Sequence, residues 1–267
     1  MISLKESDVA ILVVSCDAYQ DLWSPFFYCF FKYWPACPYA VYLGSNCLRF
    51  PDSRVRPILV GQDVDYSSNL LKMLDHIQQE WIILWIEDRV LSAPVNTALV
   101  VKLIKLAQTQ QIGYLKLIAS HPFAFPEDQT QQIGDIPRGA RYRVCMTVAL
   151  WNKRVLLDLL VPGETPWDIE RRGSRRANGL DERFCSLSIH VKDTPPICDV
   201  HLIIKGRLTR GGKEFLERHG LLGFVQNRSI QTVSSQLYVK LYSAFFDLYS
   251  QLKRRLLLLQ NMIMFHM

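Results

Sequence analysis

The run Val9–Val14 is continuously apolar and stops at Ser15-Cys16-Asp17-Ala18-Tyr19. That pattern predicts a strand buried on both faces that delivers polar residues to a loop. Residues 21–34 read as an aromatic-rich helix closed by Pro35, and 39–43 as a strand stopped by Gly44-Ser45-Asn46. The spacing then predicts a strand over 55–60 and a helix over 67–79 with Leu70, Leu71, Leu74 and Ile77 on one face. A second fully buried strand begins at Trp81 and runs into Glu87, Asp88 and Arg89. Pro94 opens a helical segment to about residue 110, and 113–118 returns as strand. The alternation predicts an α/β fold, a Rossmann-like, mostly parallel sheet flanked by helices.

After Ser120 the pattern gives way to a Pro- and Gln-rich loop, with breakers at His121-Pro122, Pro126-Glu127-Asp128 and Gly134-Asp135-Ile136-Pro137. Loops of that length are often functional. Residues 141–151 then read as strand, 153–160 as a short helix, and Thr165-Pro166-Trp167-Asp168-Ile169-Glu170 as a helix start with Pro near its first position. No linker composition separates the two halves, so 1–232 reads as one domain.

Residues 233–267 form a separate helical segment. Leu237, Leu241, Phe245, Leu248, Leu252, Leu256 and Leu259 recur three or four apart, and Lys253-Arg254-Arg255 adds a basic cluster. Such an amphipathic stripe suits either an anionic membrane surface, with Tyr238, Tyr242, Phe246 and Tyr249 at the headgroup boundary, or a packing or dimerising partner helix.

Composition narrows the classes. The 267 residues are 49% hydrophobic, enough for a full core in one large domain. The balance of 31 basic to 25 acidic residues gives +6, which local clusters explain and which does not demand nucleic acid. The seven cysteines form no C-x-x-C pair and are odd in number, so neither a zinc site nor a complete disulfide framework is indicated, and a reducing cytoplasm is the expected home. The N-terminus lacks the features of a signal peptide, and no apolar run approaches the roughly 20 residues a spanning helix needs. A G-x-S-x-G nucleophile motif and RNA- or zinc-finger signatures are missing from the chain.

The chemistry concentrates at Glu87-Asp88. Ligands of open α/β sheets collect outside the carboxyl ends of the strands, and carboxylates there can hold a divalent cation that neutralises a diphosphate. The pair is equally readable as an ordinary acidic strand end. Asp17 and Tyr19 can serve a nucleotide, by hydrogen bonds and by stacking, and Asp17 is also a candidate helix N-cap.

In order along the chain, Ser15-Cys16-Asp17-Ala18-Tyr19, Lys32-Tyr33-Trp34-Pro35, Trp85-Ile86-Glu87-Asp88-Arg89, Tyr142-Arg143, Ala149-Leu150-Trp151-Asn152 and Glu164-Thr165-Pro166-Trp167-Asp168-Ile169-Glu170 resemble bacterial glycosyltransferases of surface-polysaccharide assembly with the GT-A fold. Lipopolysaccharide, capsule and exopolysaccharide enzymes are of this kind. The resemblance spans roughly residues 8 to 207. It implies that Ser15, Cys16, Asp17 and Tyr19 hold the donor nucleotide, and that Glu87 and Asp88 occupy the place of the family's D-x-D-like metal motif. Here the chain departs from the pattern: Arg89 follows in place of a second Asp, so either Asp88 works with one outside ligand on Mn²⁺ or Mg²⁺, or Arg89 meets phosphate directly.

The resemblance further implies a general base at the start of a helix beyond the metal strand, with Asp168 ahead of Glu170, although the helix dipole favours acids there regardless of chemistry. Trp167 and Trp151 are the acceptor-side aromatics. A late His that completes the metal shell corresponds to His201, and Lys205 and Arg207 lie near the diphosphate; these residues and the run 171–176 read alternatively as a solvated basic face. The implied activity is transfer of a sugar from a nucleotide donor to a lipid-linked or growing glycan, by single-displacement inversion or with retention. The implied location is the inner face of the cytoplasmic membrane, with 233–267 as the contact or as an oligomer helix. The other reading is a catalytically degenerate module that scaffolds a polysaccharide-assembly complex.

Overall fold

Every residue of β1, Val9–Val14, is buried, because the strand runs between two layers of helices. Val9, Ile11 and Val13 point into one apolar cluster, and Ala10, Leu12 and Val14 into another. The computed structural model that gives this arrangement describes residues 8–118, 124, 133–188 and 195–232.

In chain order, β1 leads through a 3-10 turn, Asp17–Leu22, into α1, Trp23–Tyr33. Then come β2 (Ala40–Ser45), β3 (Val55–Leu59), α2 (Tyr66–Asp75), β4 (Trp81–Ile86), β5 (Arg89–Leu91), α3 (Thr97–Thr109), β6 (Ile112–Lys116) and β7 (Ile133–Asp135). The second half holds β8 (Ala149–Asn152), α4 (Lys153–Leu159), α5 (Pro166–Asp168), a π-turn (Ile169–Gly173), α6 (Ser174–Arg176), β9 (Arg183–Leu187), β10 (Asp199–His201), β11 (Ile203–Ile204), β12 (Arg207–Leu208) and α7 (Arg210–Arg218). The central sheet has eight strands in the order β3-β2-β1-β4-β8-β6-β9-β7, with β8 and β7 running against the rest. It is the mostly parallel α/β sheet flanked by helices that the alternation predicts.

The aromatic side of α1 fixes the strand that carries the acidic pair. Phe26 and Phe30 each meet Trp85 of β4 edge-on with ring centroids 5.9 Å apart, an arrangement that aromatic quadrupoles favour. The Trp85 indole N–H then donates to the Arg89 carbonyl at 2.6 Å, closing the turn through Glu87 and Asp88. On the other layer, a Cβ on Gly44 at the end of β2 would collide with the Met73 side chain of α2, so the sheet and helix approach there only because the residue is glycine.

One element is shorter than expected. Of the strand predicted over 141–151, only Ala149–Asn152 pairs in the sheet. Arg143 is buried, its guanidinium donates to the carbonyls of Ile136 and Ala177 and lies 4.4 Å from the Phe184 ring centre, and so 141–148 is held by side-chain bonds instead of a strand ladder. The helical segment expected over 233–267 lies outside the described residues. Among the described residues no helix is long and apolar enough to cross a membrane.

Candidate functional site

β2 lies on one side of β1 and β4 on the other, so the carboxyl ends of β1 and β4 form a topological switch point, where open α/β sheets bind ligands. A cleft of about 670 Å³ opens there, within the range of small-molecule sites. Its floor is Ser15, Cys16, Glu87 and Asp88, and its walls come from the start of α2, the loop 145–147, the π-turn and the β11–β12 hairpin.

The acidic pair meets the histidine expected beside it. β5 and β10 form a small antiparallel ribbon in which Arg89 faces His201, and the Leu202 N–H donates to the Asp88 carbonyl at 2.7 Å. This sets His201 Nε2 3.1 Å from Asp88 Oδ2. Asp88 Oδ1 is buried and has no hydrogen-bond partner among the described residues. Burial, reinforced by the charge of Asp88, pushes the Glu87 carboxyl up to about 8 in spite of its hydrogen bond with Ser15. Burial and the neighbouring carboxylate thus both favour the protonated form of Glu87.

Among the described residues, no group of three or more His, Cys, Asp and Glu side chains converges as a metal site. Asp88 and His201 would nevertheless suit a divalent cation, because the orphaned Oδ1 is a carboxylate oxygen left for a ligand. Arg89 does not meet the cleft as a free cation: its Nη1 is paired with Asp199 Oδ2 at 2.9 Å.

Another wall places Glu170. Thr165 and Asp168 form a capping box, with Pro166 at the helix start, as the sequence of this helix start favours. The helix then widens into the π-turn Ile169–Gly173, a feature frequent at functional sites. The widening leaves the Glu170 carbonyl to accept from Ser174 Oγ at 2.5 Å, while Ser174 Oγ itself accepts from the Val144 N–H at 3.1 Å. The Glu170 side chain turns into the cleft, where Oε1 accepts from the Met146 N–H and from Cys145 Sγ, both at 2.9 Å.

The cleft therefore gathers Ser15, Cys16, Tyr19, Glu87, Asp88, Trp167, Glu170, His201 and Lys205 from the candidates read in the sequence. Lys205 and Gly206 both have positive φ, 51° and 75°, in the two-residue turn of the β11–β12 hairpin, and Lys205 lines the cleft. Trp167 stands 59% exposed at the mouth. Tyr19 lines the cleft with the Arg228 guanidinium 4.5 Å from its ring centre, and Arg228 also grips Asp21 at 2.6 Å.

Four expectations are corrected by the geometry. Asp17 does not line the cleft: its carboxylate accepts from the backbone N–H groups of Asn46, Cys47 and Leu48 at 3.0 to 3.2 Å and holds that loop. Asp168 is used by the capping box and by Arg171, which together hold its carboxyl below the usual range, and Glu170 takes its place in the cleft. Trp151 is fully buried against Tyr114, with ring centres 4.5 Å apart, and has no face for a sugar. Arg207 sits outside the lining, on the exposed side of the hairpin. Asp63, Tyr66, Asn69, Cys145, Met146 and Thr147 also line the cleft and were not singled out from the sequence; polar residues clustered at the start of the α2 pattern were the only available signal.

Neither a known protein-family model nor a curated protein matches the chain. Among solved structures, residues 1–349 of S. aureus TarS align at 8% identity over 85% of this chain and 68% of that one, with a TM-score of 0.48. The same protein in complex with UDP-GlcNAc aligns at 7% identity over 85% and 69%, with a TM-score of 0.46. The mannosyltransferase PcManGT from Pyrobaculum calidifontis, in complex with GDP-Man and Mn²⁺, aligns at 14% identity over 74% of this chain and 58% of that one, with a TM-score of 0.46. Likenesses this remote carry no residue role across.

Proposed function

We propose that the cleft binds a nucleotide sugar and transfers its sugar to an acceptor hydroxyl, which makes the chain a glycosyltransferase. The observation that carries this reading is that Asp88 and Glu170 line one cleft, each with a carboxylate oxygen that makes no hydrogen bond among the described residues.

Transfer by single displacement needs a base to take the acceptor proton and positive charge to meet the leaving diphosphate. Glu170 Oε1 is already held by Met146 and Cys145, which leaves Oε2 to receive the proton. The acceptor oxygen bonds to the anomeric carbon as the bond from that carbon to the diphosphate oxygen breaks, and the electron pair leaves with the diphosphate. The configuration at the anomeric carbon inverts. Lys205 lines the cleft and offers its ammonium group to the departing phosphate. A Mn²⁺ or Mg²⁺ ion held by Asp88 and His201 supplies further positive charge there when bound.

The order of sequence motifs supports a lipid-linked or growing surface-polysaccharide acceptor, and the exposed Trp167 at the mouth gives such an acceptor a flat apolar face. The basic and aromatic pattern of 233–267 supports attachment to the inner face of the cytoplasmic membrane, or pairing with a second copy.

Thermal unfolding with UDP-, GDP-, dTDP- and CMP-sugars, each with and without Mn²⁺ or Mg²⁺, tests the reading. One nucleotide should raise the midpoint, by the equivalent of about 2.7 kcal/mol at about 100 times its dissociation constant. Asp88→Ala should lose the cation-dependent part, and Glu170→Gln should keep the shift while losing transfer. No shift with any donor in folded protein rejects the enzyme in favour of a scaffold.

A further inference from the structure

Tyr66 and Asn69 stand three residues apart at the start of α2, on one face of the helix, and both line the cleft. The N-cap Asp65 fixes that start by accepting from the Ser68 N–H at 2.9 Å and Ser68 Oγ at 2.6 Å. The Tyr66 hydroxyl and Asn69 Oδ1 are both buried, and neither has a hydrogen-bond partner among the described residues, although Asn69 Nδ2 is held by Asp63 Oδ1 at 2.6 Å. Most buried side-chain polar atoms of native proteins are paired, and two orphans three residues apart that line one cleft point to a ligand there.

Their chemistry and position narrow what that ligand presents. Asn69 Oδ1 only accepts, whereas the Tyr66 hydroxyl can donate. A phosphate offers acceptors alone and would leave Asn69 unpaired. A sugar hydroxyl both donates and accepts. Tyr66 and Asn69 line the same cleft as Asp88 and Glu170.

We propose that Tyr66 and Asn69 form the subsite for the transferred sugar, with Asn69 Oδ1 accepting from a sugar hydroxyl and the Tyr66 hydroxyl donating to one. The proposal rests on the cleft being a nucleotide-sugar site. In the free protein the Tyr66 hydroxyl has no hydrogen-bond partner among the described residues, so its removal separates recognition from stability.

The test is titration calorimetry of UDP, UDP-glucose, UDP-N-acetylglucosamine, GDP and GDP-mannose, each with Mn²⁺, against the wild-type protein, Tyr66→Phe and Asn69→Ala. The expected result is that Tyr66→Phe weakens the nucleotide sugar about tenfold, leaves the matching nucleoside diphosphate within about twofold, and does not lower the unliganded thermal midpoint. Asn69→Ala should shift affinity in the same sense. Unchanged nucleotide-sugar affinity in both variants overturns the sugar subsite alone. Equal weakening of sugar and nucleoside diphosphate also overturns it and reassigns the pair to the nucleotide. No binding of any of these compounds, nor of dTDP- or CMP-sugars titrated in the same way, by the wild-type protein overturns this proposal together with the glycosyltransferase reading.

Discussion

Cys145 presents its thiol to Glu170 across 2.9 Å, Sγ to Oε1, so a half-buried sulfur holds the carboxylate that the cleft offers as a base. Burial, followed by the negative charge of Glu170, pushes the thiol from its ordinary 9.0 up to about 11. The neutral thiol is thus the form the fold favours: its contribution to stability is fully present below pH 9 and is lost as pH rises through about 11. Iodoacetamide at pH 8 should label the exposed Cys47 well before Cys145, as read by mass spectrometry of the intact fold. Comparable labelling of the two would contradict the assignment. Cys145→Ser should retain transfer, whereas Cys145→Ala should lower kcat/KM several-fold by releasing Glu170.

Arg176 and Glu164 brace the same wall from behind. Arg176 donates to both Glu164 oxygens, at 2.9 and 2.5 Å, and Glu164 is buried. The Glu164 carbonyl in turn accepts from Ser67 N and Oγ at the start of α2. Arg176→Met leaves the buried Glu164 carboxylate with only Arg172, at 3.8 Å, and should cost about 3 kcal/mol in urea unfolding. Adding Glu164→Gln to it should recover part of that loss; an equal or larger loss in the double variant would show that the pair is not the cause.

Asp17 should behave as a structural residue. Its carboxylate gathers the N–H groups of the 46–48 loop, and charged hydrogen bonds of this kind stabilise a fold by about 2 kcal/mol. Asp17→Ala should lower the thermal midpoint by several degrees. Nucleoside diphosphate affinity measured well below that midpoint should stay within about twofold of wild type, and a selective loss of affinity with no loss of stability would return Asp17 to the nucleotide site.

Trp167 offers the opposite combination. With 59% of its surface exposed it adds little to the core. Trp167→Ala should leave the melting midpoint and donor affinity unchanged and raise KM for the acceptor; an unchanged KM would place the acceptor elsewhere.

How far the sequence was legible depended on where the determining contacts lie. β1 and β4 could be read because burial on both faces leaves an uninterrupted apolar run. The β5–β10 ribbon could not, since three-residue strands carry no period and their pairing is decided by residues far apart in the chain. Asp88 and His201 were identified by motif order, but their juxtaposition depends on that ribbon. The choice between Asp168 and Glu170 turned on the π-turn, which has no signature in residue spacing, and it sends one carboxylate to the cap and the other to the cleft. Tyr66 and Asn69 were hidden inside an ordinary amphipathic helix pattern, where an unpaired atom leaves no trace.

The β5–β10 ribbon also imposes an order in time. Asp88 and His201 are separated by 113 positions, and closing a loop of that length costs entropy before any contact rewards it. During vectorial synthesis β1 to β4 can pair while the ribosome is still translating the second half of the chain. The acidic pair waits for the histidine, so a polypeptide arrested before residue 199 presents a nearly finished sheet with an unfinished cleft. Competence to bind arrives only after residue 201 has been made, later than the sheet and as an abrupt event.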